Sequence, residues 1–323
     1  MQTESISVTL SLGSDPHLKR LQAVLQRNGM LRRLLSFGPE LEVLDPNGTA
    51  SLKVLRRFPE YKVVNRLLWA AWKRLPGTGR SQLPKVATCW LADRLASKYV
   101  PPCSIFHGWL AVCLACLKAA KRQGAITIVQ NPTLHLQQWQ DEVMAECGHF
   151  GINPRNCWTI LPTSLIRRAQ REYELCDKII VLSSVARRSF EQFGYDNKTV
   201  VVWPGVDHLL FSPPVKYSPP SLFRACYVGR IEVAKGVGYL LQAWKRLRLD
   251  RAELLLVGAI QPEMKPLLAE YASANVKLAG WLPPEEVAER YRQSSIFAFP
   301  SVNEGMGLVL LEAMACGLPV IAT

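Results

Sequence analysis

Several features are scarce in this sequence, and each scarcity excludes a class. No apolar run is long: the longest, GWLAVCLACLKAA at 108–120, falls well short of the ~20 residues that span a bilayer, so no transmembrane helix is expected. The first residues, MQTESISVTL, carry no basic stretch followed by an apolar one, so a secretory signal is not expected. Cysteine occurs nine times, an odd number without regular spacing, which argues against a disulfide framework and for buried free thiols in a reducing compartment. Cys113 and Cys116 form C-x-x-C, but no second pair stands at a zinc spacing; both are expected to pack in a core, and no metal is expected. Acidic residues are few beside basic ones, 26 against 39, and the net charge of +13 calls for an anionic partner: nucleic acid, a membrane surface or phosphate. Nucleic acid is not expected, because the basic excess is interleaved with apolar positions rather than stacking aromatics, and no recognition module is present.

What is present fits a globular chain. With 323 residues, 49% of them apolar and 20% charged, the prior is two domains, each with its own core. The charge is local. Between Lys53 and Lys98 stand eleven Lys and Arg against only Glu60 and Asp93. Read as a helix from Pro59, PEYKVVNRLLWAAWKRL puts Val64, Leu67, Leu68, Ala71, Trp72 and Leu75 on one face and Lys62, Arg66, Trp69 and Lys73 on another. That pattern fits an interfacial membrane helix, a face for an anionic acceptor, or an ordinary solvated surface.

Residues 222–323 alternate apolar runs of strand length with amphipathic stretches of helix length: FRACYVG then GVGYLLQAWKRL, ELLLVG then PEMKPLLAEYA, VKLAG then PPEEVAERYRQ, IFAFPS then GLVLLEAMACG, and a closing PVIAT. Four β-α units and a final strand predict a parallel, doubly wound sheet. The first part repeats the rhythm less cleanly through ISVTLSLG, CSIFHG, AITIVQ, KIIVLS and TVVVWPG. A proline-rich stretch, PGVDHLLFSPPVKYSPPS, separates the two. The fold class expected is α/β, two Rossmann-like domains facing across a cleft: residues 1–205 with a basic helical insertion, 206–220 as a proline-rich linker, and 221–323 as the second domain.

The chemistry concentrates in SVNEGMGLVLLEAMACGLPVIAT. Glu304 precedes a helix expected to start near Gly305–Gly307, and Glu312 lies eight residues on, roughly 9–12 Å along the axis, enough to straddle a diphosphate. Between them the N–H groups of Met306, Gly307 and Leu308 would form an anion site. The bland alternative is a carboxylate stabilising a helix dipole plus one solvated Glu. In YVGRIEVAKGV, Arg230 and Lys235 occupy the loop after the first strand of the second domain, on the same sheet edge as Glu304, and two converging cations suit a leaving diphosphate.

The run VGR-x4-KG, LLLVG, VKLAG and FPSVNEGMGLVLLEAMACGLPVIAT resembles the second domain of the retaining glycosyltransferases of family 4, which have the GT-B fold. FHGW, QNPTLH, REYELCDKIIVLSSVARRSFEQFG and VVWPGVDHLLFSP resemble the family's first domain more loosely. The resemblance implies that Glu304 contacts the donor sugar, with the backbone of Gly305, Met306, Gly307 and Leu308 near sugar and phosphate. It implies that Glu312 holds the ribose hydroxyls and that Arg230 and Lys235 neutralise the diphosphate without a metal, in keeping with the absence of any D-x-D. His135 resembles the histidine facing the donor sugar from the first domain, with Glu304 as the other catalytic residue; Gly13 and His107 are weaker first-domain contacts. The family continues past the strand at Val320, so the second domain is expected to be incomplete at its C-terminus.

The function expected is transfer of a hexose from a nucleotide-diphosphate sugar, a co-substrate and not a resident cofactor, to a hydroxyl of a glycan or lipid-linked acceptor, with retention, as in polysaccharide biosynthesis. A GT-B-fold epimerase and a non-catalytic nucleotide-sugar or membrane-binding module are the alternatives. The expected location is cytoplasmic, peripheral at the inner membrane face through an anionic surface bound by residues 53–98.

Overall fold

In the computed structural model the described residues are 6–12, 16–36, 55–57, 83–216 and 222–323. Their backbone forms two compact units, each with one parallel sheet. The amphipathic segment expected from Pro59, most of the basic stretch 53–98, Gly13 and the end of the expected linker lie outside the described residues.

The first unit comprises 1–132, 161–181 and 187–201. Its strands are β1 (Val8–Leu12), β2 (Leu31–Ser36), β3 (Leu55–Arg57), β4 (Ile105–Trp109), β5 (Ile126–Gln130), β6 (Lys178–Val181) and β7 (Thr199–Val201), in the order 3-2-1-4-5-6-7 and parallel throughout. Helices α1 (Pro16–Arg27), α2 (Leu83–Ala96) and α3 (Leu114–Arg122) connect them. β1 and β4 are covered on both faces: Val8, Leu10 and Phe106 are buried, and so are Thr9, Ser11 and His107, polar residues within the same strands. Helix α5 (Thr163–Leu175) buries Ile166, Ala169, Glu172 and Tyr173 at helical spacing.

The second unit comprises 133–160, 182–186 and 202–323. Its sheet runs β8 (Phe223–Val228), β9 (Ala252–Val257), β10 (Val276–Gly280), β11 (Ile296–Phe299) and β12 (Val320–Ala322), in the order 10-9-8-11-12, all parallel. The intervening helices are α7 (Val237–Leu247), α8 (Lys265–Tyr271), α9 (Pro284–Arg292) and α10 (Leu308–Ala315), the four β-α units and closing strand that the sequence rhythm predicts. Their apolar faces, with Leu241, Trp244, Leu267, Val287, Tyr291 and Ala313, close over Cys226, Leu254, Leu256 and Phe297.

The units do not follow the expected boundary at residue 205. Helix α4 (Leu136–His149) and the turn after it belong with the second unit, because Val143 and Cys147 bury into its core and Phe150 packs against the bare Cα of Gly238. Tyr239 O–H adds a hydrogen bond to Glu146 at 2.8 Å. Residues 182–186, which open α6 (Ser184–Glu191), join it too.

Candidate functional site

The chain order of the second sheet reverses beside β8: β9 and β10 extend one way, β11 and β12 the other. Such a switch point splays the loops leaving two neighbouring strands and opens a crevice at their carboxyl ends. The loop after β8 carries Arg230 and Lys235; the loop after β11 carries Glu304. Backbone bonds lace the two together, with Val302 N–H and Asn303 N–H both donating to Ala234 C=O at 3.2 Å. Gly236 makes the approach sterically feasible: its φ is +63°, and a Cβ there would stand 1.8 Å from Pro300 O.

Lys235 and Glu304, placed on one edge by sequence reasoning, are in direct contact. Lys235 Nζ donates to Glu304 Oε2 at 2.6 Å and to Asn303 O at 3.3 Å. Neither side chain is sealed, at 18% and 27% exposure, so both remain open to a ligand while partly desolvated. Arg230 is more exposed, at 55%, and pairs with Glu232 at 3.0 Å. The buried Tyr227 fixes the backbone here by donating from its O–H to Arg230 O at 2.8 Å.

The backbone after Glu304 is held from the opposite side. Ser183 Oγ accepts from Ala186 N–H at 3.0 Å, as an N-cap does, and its hydroxyl donates to Gly305 O. Gly307 is the cap of α10; a Cβ on it would meet the Phe299 ring at 2.8 Å. The helix therefore begins at Leu308, later than the expected start near Gly305–Gly307, and Met306 precedes the cap. The amides that intrahelical bonding leaves free are those of Leu308 and Val309, since Leu310 N–H turns back to Gly307 O at 2.9 Å. Glu312, half-buried in α10, accepts from Tyr291 O–H at 3.4 Å.

His135 caps α4 and is buried at 1% exposure; desolvation lowers its pKa to about 4, so its ring is neutral near pH 7. The same helix reaches the Glu304 loop two turns on, where Asn303 Nδ2 donates to Glu142 Oε2 at 2.6 Å. His107 sits inside β4, not at a strand end, paired with Leu10 and Ile128, and its Nε2 lies 3.0 Å from Gln130 Oε1. Burial lowers its pKa to about 4 as well.

Sequence reasoning missed Glu232, Thr159, Asn303 and Ser183. Glu232 is buried, and desolvation raises its pKa while Arg230 and Lys235 pull it down; Thr159 Oγ1 donates to its Oε2 at 3.3 Å. An acid between two cations in GRIEVAK was the available signal, but its burial depends on a segment more than seventy residues away. Cys113 and Cys116 are buried, with burial pushing both thiols well above their ordinary pKa. Among the described residues no three His, Cys, Asp or Glu side chains converge on a point that could hold a metal ion, and no helix is long and apolar enough to cross a membrane.

Comparison with known proteins bears on the family and the fold. Residues 223–323 match the family model described as glycosyl transferases group 1. A D-inositol 3-phosphate glycosyltransferase of Geodermatophilus obscurus is 35% identical over 159 residues, a match covering 42% of this chain and 35% of that protein. The chain thus spans about a third of that relative's length. Among solved structures, sucrose-phosphate synthase from Thermosynechococcus elongatus superposes with a TM-score of 0.68 at 19% identity, covering 98% of this chain and 81% of that one. Anabaena HepE, solved in complex with UDP and glucose, superposes at 0.60 with 16% identity and coverages of 98% and 80%. Residues 223–323 thus match the glycosyl transferases group 1 model, and the chain has the fold, two parallel α/β sheets, of these GT-B structures.

Proposed function

We propose that the protein is a glycosyltransferase: its second unit binds a nucleotide-diphosphate sugar, and the hexose passes to a hydroxyl of a glycan or lipid-linked acceptor with retention of configuration. The observation that carries this reading is the contact of Lys235 with Glu304 at the switch point, beside the free amides that open α10. Charge builds on the diphosphate as the glycosidic bond breaks. Lys235 and Arg230 offset that charge, and the Leu308 and Val309 N–H groups add fixed dipoles. Glu304, already oriented by Lys235, accepts hydrogen bonds from the sugar hydroxyls, and Glu312 accepts from the ribose. His135, kept neutral by burial, offers a ring N–H to the sugar without adding a cation.

In the retaining step the acceptor oxygen attacks the anomeric carbon on the face the diphosphate leaves. The acceptor proton moves to the departing phosphate oxygen, so no protein carboxylate acts as nucleophile. Two protein cations supply the charge stabilisation for which other transferases use a divalent ion, and the reaction is proposed to need none. The first unit is assigned the acceptor, and residues 53–98 an anionic membrane surface, consistent with their eleven basic residues. The glycosyltransferase names of the relatives and the UDP and glucose bound to HepE support the donor class.

The test is a donor panel: release of nucleoside diphosphate from UDP-, GDP- and ADP-sugars, with and without hydroxyl acceptors. Turnover of at least one donor that Glu304→Ala abolishes, with the circular dichroism spectrum unchanged, is expected. Full activity in Glu304→Ala would remove the site assignment.

A further inference from the structure

One carboxylate on α4 is bound to the loop that carries Glu304, yet no step of the transfer reaction uses it. Positions 135, 138, 139 and 142 fall on one stripe of a helix, because offsets of three, four and seven residues return to the same face. The stripe opens with His135 at the cap of α4 and ends with Glu142, two turns and about 10 Å further along the axis. Glu142 accepts twice. Gln138 Nε2, a turn earlier in the same helix, donates to its Oε1 at 2.7 Å, and Asn303 Nδ2 donates to its Oε2 at 2.6 Å. The second bond joins residues 161 positions apart.

Asn303 stands immediately before Glu304 and is buried at 1% exposure. Its backbone ties it to the cationic loop: the N–H donates to Ala234 O at 3.2 Å, and the C=O accepts from Lys235 Nζ at 3.3 Å and from the Ser301 hydroxyl at 3.2 Å. Its side chain ties it to α4. A carboxylate only accepts, so the Nδ2 end of the amide must point at Glu142, and Nδ2 also donates to Trp139 O at 3.4 Å. Asn303 is therefore the joint at which α4, the Lys235 loop and Glu304 meet. A short bond to an ionised acceptor, made where water is excluded, fixes the peptide that leads into Glu304. Without the acceptor one Nδ2 hydrogen is buried and unpaired, and the loop satisfies it by swinging Asn303 toward solvent, which carries Glu304 off Lys235.

We propose that Glu142 is a positioning residue for the transfer: acting through Asn303, it holds Glu304 where Lys235 and the donor sugar meet it. The assignment rests on the proposed function of Glu304. Its chemistry is that of a hydrogen-bond acceptor and not of a charge at the breaking bond, so an amide oxygen at position 142 can replace it and a methyl group cannot.

The experiment measures release of nucleoside diphosphate from UDP-, GDP- and ADP-sugars by the full chain. Glu142→Gln still offers an oxygen to Asn303 and should keep kcat within about fivefold of the wild type. Glu142→Ala should lower kcat by about ten- to a hundredfold, the cost of a misplaced contact, with a smaller change in KM. Asn303→Asp sets two carboxylates against each other and should lose as much. Adding Glu142→Gln to Asn303→Asp reverses donor and acceptor and should restore most of the loss, a recovery that general destabilisation of α4 would not give. Asp141→Ala, which frees only Gln137 on the exposed side of the same helix, should leave kcat unchanged. Hydrogen exchange is read in parallel: the Val302 and Asn303 amides, both bound to Ala234 O, should exchange faster in Glu142→Ala and at the wild-type rate in Glu142→Gln. Wild-type kcat in Glu142→Ala, no recovery in the reversed pair, or unchanged exchange at 302 and 303 would overturn the positioning role. Absence of turnover in the wild type would count against the proposed function, while the exchange rates would still decide whether Glu142 holds the loop.

Discussion

At the scale of single residues, the candidate site is a set of charges already compensated inside the protein. Lys235 rests on Glu304 and Arg230 on Glu232, so under the proposed function an arriving diphosphate would take over cations that are positioned before it binds. The difference in exposure between the two cations separates their expected contributions. Lys235→Ala should lower kcat/KM for the donor by about 10²–10³-fold, the usual effect of removing one preorganised charge contact from a partly desolvated site. Arg230→Ala, at a position more than half in solvent, should cost less and act mainly on KM. Steady-state kinetics of the two variants would decide, and a larger loss for Arg230 would reverse their roles. The buried histidines make a separate prediction. His107 and His135 have pKa values near 4 in the folded chain against 6.5 in the unfolded one, so between these values the unfolded state binds more protons. Stability should therefore be full above pH 6.5 and fall as the pH drops toward 4, by up to about 3 kcal/mol for each ring. His107→Gln, which keeps a donor toward Gln130, should flatten the urea midpoint across that window.

At the scale of elements, glycines and buried carboxylates decide where helices begin and how close loops approach. Gly236→Ala would force a Cβ into Pro300 O at a left-handed φ, separating the loops that carry Lys235 and Glu304. A melting temperature lowered by several degrees and loss of donor turnover are expected together. In the first unit, the start of α3 is closed by carboxylates of the protein itself. Asp93 accepts from Ala115 N–H at 2.7 Å and Cys116 N–H at 3.0 Å; Glu172 accepts from Cys113 N–H at 3.0 Å and from Ala111 N–H. Arg168 pairs with Asp93 and lies 3.7 Å from Glu172, beneath the Trp90 ring. Desolvation raises the pKa of both carboxyls, that of Glu172 to about 8, so the cluster depends on its internal hydrogen bonds. Asp93→Ala leaves Arg168 and two amides buried without their acceptor and should cost about 3 kcal/mol or more in chemical denaturation. None of this was legible as a site. Asp93, Arg168 and Glu172 are far apart in the chain, and only α2 and α5 packing on α3 brings them together.

At the scale of the molecule, the second sheet was readable in full and the first in five of its seven strands. In 222–323 runs of strand length alternate with stretches of helix length that are amphipathic except for the apolar α10, so the rhythm is legible. β2 escaped notice because Arg32 and Arg33 interrupt its apolar run, with Arg33 Nη1 donating to Tyr99 O at 2.8 Å. α4 escaped because only Leu136, Val143 and Cys147 are buried along it, too few to mark a stripe. That helix also gives the clearest whole-molecule prediction. Native-state hydrogen exchange should show the amides of 143–147 opening together with β8 and β9 of the second unit; opening with β4 and β5 would contradict the assignment.

The sequence by itself determined the two-sheet α/β class and the β-α order of the second sheet, and it marked Lys235, Arg230, Glu304 and Glu312 as candidates, because apolar periodicity and turn glycines are local properties. The tertiary structure alone decided that Lys235 touches Glu304, that α4 belongs with the second core, that α10 starts at Leu308, and that Glu232 is buried within the cationic loop. Each of these depends on which distant segments share a core, and burial and close approach arise only when the chain closes on itself.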